Sequence, residues 1–136
     1  MDAVPYRSAI GSLMYLATCT RPDLAAAVSE LSKFRQNPNV KHWEGVKMVF
    51  IYLKGTVGEG LLYKRGTQVE VWGYADSGHA GDSASSRGRT GYVFLNGGAA
   101  VSWRSSMMKV VTHSSCKSEY VGLSEAGNEA VYLKQL

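Results

Sequence analysis

The apolar residues of this 136-residue chain change their spacing once, near Tyr63–Gly66. That change constrains the fold more than any other feature, because side chains repeat every 3.6 residues on a helix and every second residue on a strand. Before it, the pattern is helical. Tyr6, Ile10, Leu13 and Ala17 fall three and four apart and share one face of a first helix. Thr20 followed by Asp23 predicts a capping box for a second, with Pro22 in its first turn and Leu24, Val28 and Leu31 as its stripe. Pro38 lies beyond its end. A third helix is expected from Val40 to Lys54, with Trp43, Val46, Phe50 and Leu53 on one face and Gly55 as its stop.

After the change the chain reads as strands and one helix. Gln68 to Asp76 is rich in strand formers, and a polar loop from Ser77 to Arg89 follows. Thr90–Leu95 and Ala100–Trp103 flank Asn96-Gly97-Gly98, a hairpin signal because these turn residues tolerate positive φ. Lys109–Thr112 is read as an extension of that ribbon. Cys116, Tyr120, Leu123, Ala130 and Leu133 trace one side of a long helix, with Ser115 as its cap. Trp43, Trp72 and Trp103 are expected as core anchors. The reading is therefore α+β, with a small helical unit over 1–66 and about three antiparallel strands plus one long helix over 67–136.

Composition narrows the function. Hydrophobic residues make up 45% and charged residues 19%, as in a globular chain. A net charge of +4 permits an anionic partner without requiring one. The two cysteines, Cys19 and Cys116, and the three histidines fit neither a disulfide framework nor a four-ligand zinc site. No apolar run approaches the length of a membrane span. Residues 1–19 combine one early basic residue, a short apolar stretch and small residues at Ala17-x-Cys19, the pattern of a secretory signal. The competing reading of the same residues is a packed helix.

Several motifs carry a resemblance. Tyr6-Arg-Ser-Ala-Ile-Gly-Ser-Leu-Met-Tyr15, Thr20-Arg-Pro-Asp-Leu24, His42-Trp43 and Tyr52-Leu-Lys-Gly-Thr56 resemble the end of a copia-type retrotransposon reverse transcriptase. Gly73-Tyr-Ala-Asp76, Ala80-Gly-Asp82, Thr90-Gly-Tyr-Val-Phe94, Val101-Ser-Trp103 and Ser118-Glu-Tyr120 are similar to the ribonuclease H that follows it. The resemblance covers nearly the whole chain in order and implies a truncated ribonuclease H-like fold for its second half. In that family, carboxylates hold two Mg²⁺ ions that activate water for cleavage of RNA in RNA–DNA hybrids. The matching positions are Asp76 and Glu119, weak Mg²⁺ candidates, while the family draws its next ligands from a fourth strand and a later helix beyond Leu136. The chain departs from the family at Gly78-His79, where an acidic residue and a tryptophan are usual. It departs again at Lys117-Ser118, where an acidic residue and an alanine are usual. Lys117 is expected to disturb a cation at Glu119.

Three functional expectations follow. A working ribonuclease H would need Mg²⁺, with Arg87, Arg89, Arg104 and Lys109 lining a groove for the hybrid. A retroelement remnant would have no selected activity. A small secreted binding protein would act on a host protein, as the chain is also similar to short copia-like chains among oomycete RxLR effector candidates, which suppress defence or cell death in plant cells. Against that pattern it has no Arg-x-Leu-Arg, and Arg21-Pro-Asp-Leu24 only echoes it. The expected reading is a non-catalytic protein with no cofactor. His113, Ser114, Ser115 and Cys116 are read as the loop and cap before the last helix.

Overall fold

The computed structural model describes residues 5–66, 70–79 and 85–136. It divides between Leu61 and Leu62 into two compact units, each described by itself.

The first unit is helical. Helix α1 spans Tyr6–Cys19, a short 3₁₀ turn spans Pro22–Leu24, α2 spans Ala25–Ser32 and α3 spans Val40–Gly55. The face expected for α1 is the one it buries: Tyr6, Ile10, Leu13 and Ala17 enter a core with Leu24, Val28, Val46 and Val49. The Tyr6 hydroxyl crosses that core and donates to the Leu31 carbonyl at 2.8 Å, so the ring is buried with its polar end satisfied. Trp43 packs on the core from its rim, 6.5 Å from the Tyr6 ring between centroids.

Two expectations fail here. Thr20 and Asp23 form no capping box. Thr20 Oγ1 turns back to the Leu16 carbonyl, and Asp23 is taken by Arg21. The box lies instead at α3, where Asn39 Oδ1 accepts from the His42 amide at 3.0 Å and the Asn39 amide donates to His42 Nδ1 at 3.1 Å. Phe34 stacks on the same imidazole, 3.6 Å away. Phe50 is exposed, and Val49 takes the buried position assigned to it.

The second unit is a three-stranded antiparallel sheet with one helix across it. Strands β1 (Trp72–Gly78), β2 (Arg89–Asn96) and β3 (Ala99–Met107) lie in the order β1-β2-β3. Gly97 and Gly98 link β2 to β3 with φ of 62° and 88°, the left-handed conformations that a tight hairpin demands. The expected strand start at Gln68 lies outside the described residues, and the strand itself begins at Trp72. Lys109–Thr112 does not extend the ribbon; β3 ends at Met107, and these residues bend toward helix α4 (Ser115–Gln135). Ser114, not Ser115, caps that helix, accepting from the Lys117 amide.

The largest correction concerns α4. Its buried residues are Ser118, Gly122 and Ala126, whereas Tyr120 is 70% and Leu123 64% exposed. Trp72, expected in the core, is 59% exposed. Small side chains let the helix approach the sheet: a Cβ on Gly122 would lie 3.1 Å from Ser77 Cβ. Hydroxyl–carboxylate bonds then fasten it, Thr90 to Glu125 at 2.7 Å and Ser102 to Glu129 at 2.6 Å.

Residues of α1 make up half of the first unit's core cluster. A chain starting at Thr20 should therefore lose the thermal transition of this unit while the second unit still unfolds cooperatively. Far-ultraviolet circular dichroism and amide hydrogen exchange check this; retained protection in α2 and α3 would contradict it.

Candidate functional site

Asp76 on β1 and Glu119 in the first turns of α4 both line one pocket, although Ser77 and not Asp76 is on the β1 face that α4 covers. Cys116, Glu119, Tyr120 and Leu123 fall at i, i+3, i+4 and i+7 and so present one helical stripe. That stripe faces Ala75 and Asp76 across a cavity of about 350 Å³. Asp76 Oδ1 accepts from the Ser77 amide at 2.9 Å, which fixes one carboxylate oxygen. Lys117 does not line the cavity. Residues two apart on a helix do not face each other, so the disturbance expected from Lys117 at Glu119 loses its geometric basis. The lining includes two carboxylates and a thiol among apolar walls, but among the described residues no three His, Cys, Asp or Glu side chains are grouped so that they could hold a metal ion. Mg²⁺ prefers hard oxygen ligands and retains much of its water.

The basic residues do not share a single face. Arg89 lies opposite Met107 and Arg104 opposite Tyr92, an odd number of residues apart along each strand, so their side chains leave opposite faces of the sheet. Arg89 reaches Ser105 Oγ at 3.3 Å. Arg87 and Lys109 are exposed on the segments flanking the hairpin.

Beside the pocket, a small polar network escaped the sequence reading. His79 Nδ1 lies 3.2 Å from Thr112 Oγ1 and 3.4 Å from Ser118 Oγ, and the two hydroxyls are 2.7 Å apart. Thr112 and Ser118 are buried. His79 and Ser118 are two of the positions that depart from the resembled pattern, and they meet in space. The signal for this was present only as two separate oddities in sequence. On the sheet beneath α4, burial and then the Glu129 carboxylate raise the Tyr92 hydroxyl above its ordinary value.

A second pocket, of about 330 Å³, belongs to the helical unit and includes Arg21, Asp23, Tyr52 and Thr56. Arg21 is only 7% exposed. It donates to both oxygens of Asp23 at 3.0 and 2.7 Å and to the carbonyl and hydroxyl of Thr56 at 3.2 and 2.7 Å. Tyr52 adds a 2.9 Å bond to Asp23. The Arg21-Pro-Asp-Leu24 segment is thus an internal fastener, with its guanidinium committed to its own fold.

The chain is 44% identical over 135 residues to the "Retrovirus-related Pol polyprotein from transposon TNT 1-94" of Nicotiana tabacum, covering 99% of this chain and 10% of that one. It is 47% identical over 133 residues to "Secreted RxLR effector protein 161" of Plasmopara viticola, covering 98% of this chain and 94% of that one. Similarity to the "Retrovirus-related Pol polyprotein from transposon RE2" of Arabidopsis thaliana is 36% over 135 residues, or 9% of that protein. The chain thus spans about a tenth of the length of these Pol relatives. No family model and no solved structure matches it.

The Arg21 guanidinium, and then the Tyr52 hydroxyl, hold the Asp23 carboxyl below its ordinary value. A depressed folded-state value means that this stabilisation is full above the unfolded aspartate value of about 3.9 and fades as pH falls through the lower folded value. Asp23→Asn should lower the stability of the helical unit at pH 7 and flatten its acid dependence below about pH 4. Denaturant melts of wild type and variant at pH 7 and pH 3 check this; parallel losses at both pH values would contradict it.

Proposed function

The chain belongs to the family of copia-type retrotransposon Pol polyproteins, and on that premise we propose that it is a ribonuclease H-like module that works by contact rather than by catalysis. The order of a three-stranded antiparallel sheet followed by one long helix across it supports the ribonuclease H-like assignment. The observation that carries the contact reading is the composition of the pocket. Asp76 and Glu119 stand among Ala75, Cys116, Tyr120 and Leu123, walls that suit a partner's side chain better than a pair of hydrated cations.

Mg²⁺, if bound, would be held by Asp76 and Glu119 and would supply Lewis-acid activation of water. Two carboxylates balance one divalent charge. Two adjacent cations would leave this pocket strongly positive, and hydrolysis through paired metals depends on that balance.

The finer reading is an effector-type protein acting on a host protein in plant cells. It is supported by the 47% identity to a relative named as a secreted RxLR effector, 94% of which this chain covers. In this reading export leaves residues 1–19 in place, since α1 supplies half of a core that cleavage would destroy. A second reading, a segment of a Pol polyprotein that cleaves the RNA of RNA–DNA hybrids, is favoured by the Pol matches that cover 99% of the chain.

The purified chain should leave an RNA–DNA hybrid intact in millimolar Mg²⁺ or Mn²⁺, measured on an end-labelled substrate. Metal-dependent cleavage lost on Asp76→Asn or Glu119→Gln would overturn the contact reading in favour of the second.

A further inference from the structure

Lys64 and Arg65 are the only two basic residues that stand next to each other in the chain. They fall where the apolar spacing changes, just past the division between the two compact units. No helix or strand runs through residues 56–66: α3 ends at Gly55 and β1 begins at Trp72. Lys64, Arg65 and Gly66 are all exposed, and Arg65 and Gly66 form a turn in which Gly66 takes a φ of 83°. Among the described residues nothing lies within 4 Å of the place that a Gly66 side chain would occupy. The Arg65–Gly66 peptide bond is therefore open to approach.

Two adjacent cationic side chains on an exposed turn are a chemical signature of their own. An endoprotease with a carboxylate in the pocket before its cut bond selects a basic residue there, and a second acidic subsite demands another one position earlier. Exposed turns between compact units are also where backbone nicking concentrates, because few contacts must open before a protease can draw the chain into its cleft. Two of the contacts that must open here are identifiable. The Tyr63 hydroxyl donates to the Ala100 carbonyl at 2.6 Å, and the Lys64 amide donates to the Gly97 carbonyl at 3.2 Å. Both hold the residues just before the bond against the β2–β3 hairpin.

We propose that Arg65–Gly66 is a processing site for an endoprotease specific for paired basic residues, with the Tyr63 tether setting how fast it is cut. Hydrolysis consumes one water, breaks the C–N bond, and leaves a carboxylate on Arg65 and an ammonium on Gly66. The cut passes between elements and through none of them. Helices α1–α3 and their core of Tyr6, Ile10, Leu13, Val28 and Val46 stay in the first piece. The sheet, α4 and the Thr90–Glu125 and Ser102–Glu129 bonds stay in the second. One chain thus becomes two pieces, each with its own packed elements. The inference holds whether the second unit works by contact or cleaves a hybrid.

The test is digestion of the full chain with a subtilisin-type endoprotease that requires two consecutive basic residues, followed by intact-mass spectrometry. Native protein should give the masses of residues 1–65 and 66–136, at a rate within about a hundredfold of that for a synthetic peptide spanning residues 58–72, as a site needing only local opening allows. Tyr63→Phe should be cut at least threefold faster in the native chain and at an unchanged rate in the peptide. Arg65→Gln, a change on an exposed turn, should leave the chain whole. Amide hydrogen exchange of the nicked protein should keep the protection of α3 and β2. A native chain that resists under conditions that consume the peptide, a Tyr63→Phe chain cut no faster, cleavage of Arg65→Gln, or loss of protection in β2 on nicking would each overturn the proposal.

Discussion

The second unit depends on how α4 is held against the sheet. That seam is made of small and polar groups: Ser118, Gly122 and Ala126 pack inward, and Glu125 and Glu129 accept hydrogen bonds from Thr90 and Ser102. Charge-assisted bonds of this kind are stronger than neutral ones and are directional, so they fix the rotation of the helix about its axis. Once that rotation is set, Cys116, Glu119, Tyr120 and Leu123 must point toward the β1 edge, and the pocket with Asp76 follows. The exposure of large apolar groups here is thus a consequence of where the carboxylates go.

This is also where sequence reading fell short. Apolar residues are assigned inward by default, and on α4 that rule selects Tyr120, Leu123, Ala130 and Leu133 over the stripe that is buried. A glutamate counts as outward unless its hydroxyl partner is known, and Thr90 and Ser102 lie 35 and 27 residues away in sequence. Where burial and hydrophobicity agree, the reading succeeded. The face of α1 was legible residue for residue, as was the Asn96-Gly97-Gly98 hairpin. The capping of α2 and α3 was not, because Thr20 and Asp23 fit the pattern locally while Thr20 turns back to the Leu16 carbonyl and Asp23 is held by Arg21 and Tyr52. Asp76 and Glu119 were legible only through resemblance. The cavity between them, and the His79–Thr112–Ser118 network beside it, required the fold.

The helical unit is built on different physics. Its core is apolar and continuous, and the one buried cation among its described residues, Arg21, is matched by Asp23, Tyr52 and the Thr56 carbonyl. A buried guanidinium needs such partners, because desolvation would otherwise exceed what the contact returns. The motif that resembles part of a recognition sequence is therefore occupied by its own structure.

The account turns on the rotation of α4, and thermal unfolding of two variants measures it directly. Leu123→Glu should stay within about 0.5 kcal/mol of the wild type, as substitutions at open surface positions do. Ala126→Glu should unfold the second unit or lower its melting temperature sharply, because it forces an unpaired carboxylate into the seam. A destabilised Leu123→Glu beside a wild-type-like Ala126→Glu would mean that the apolar stripe is the buried one, and would contradict the pocket and the contact reading together.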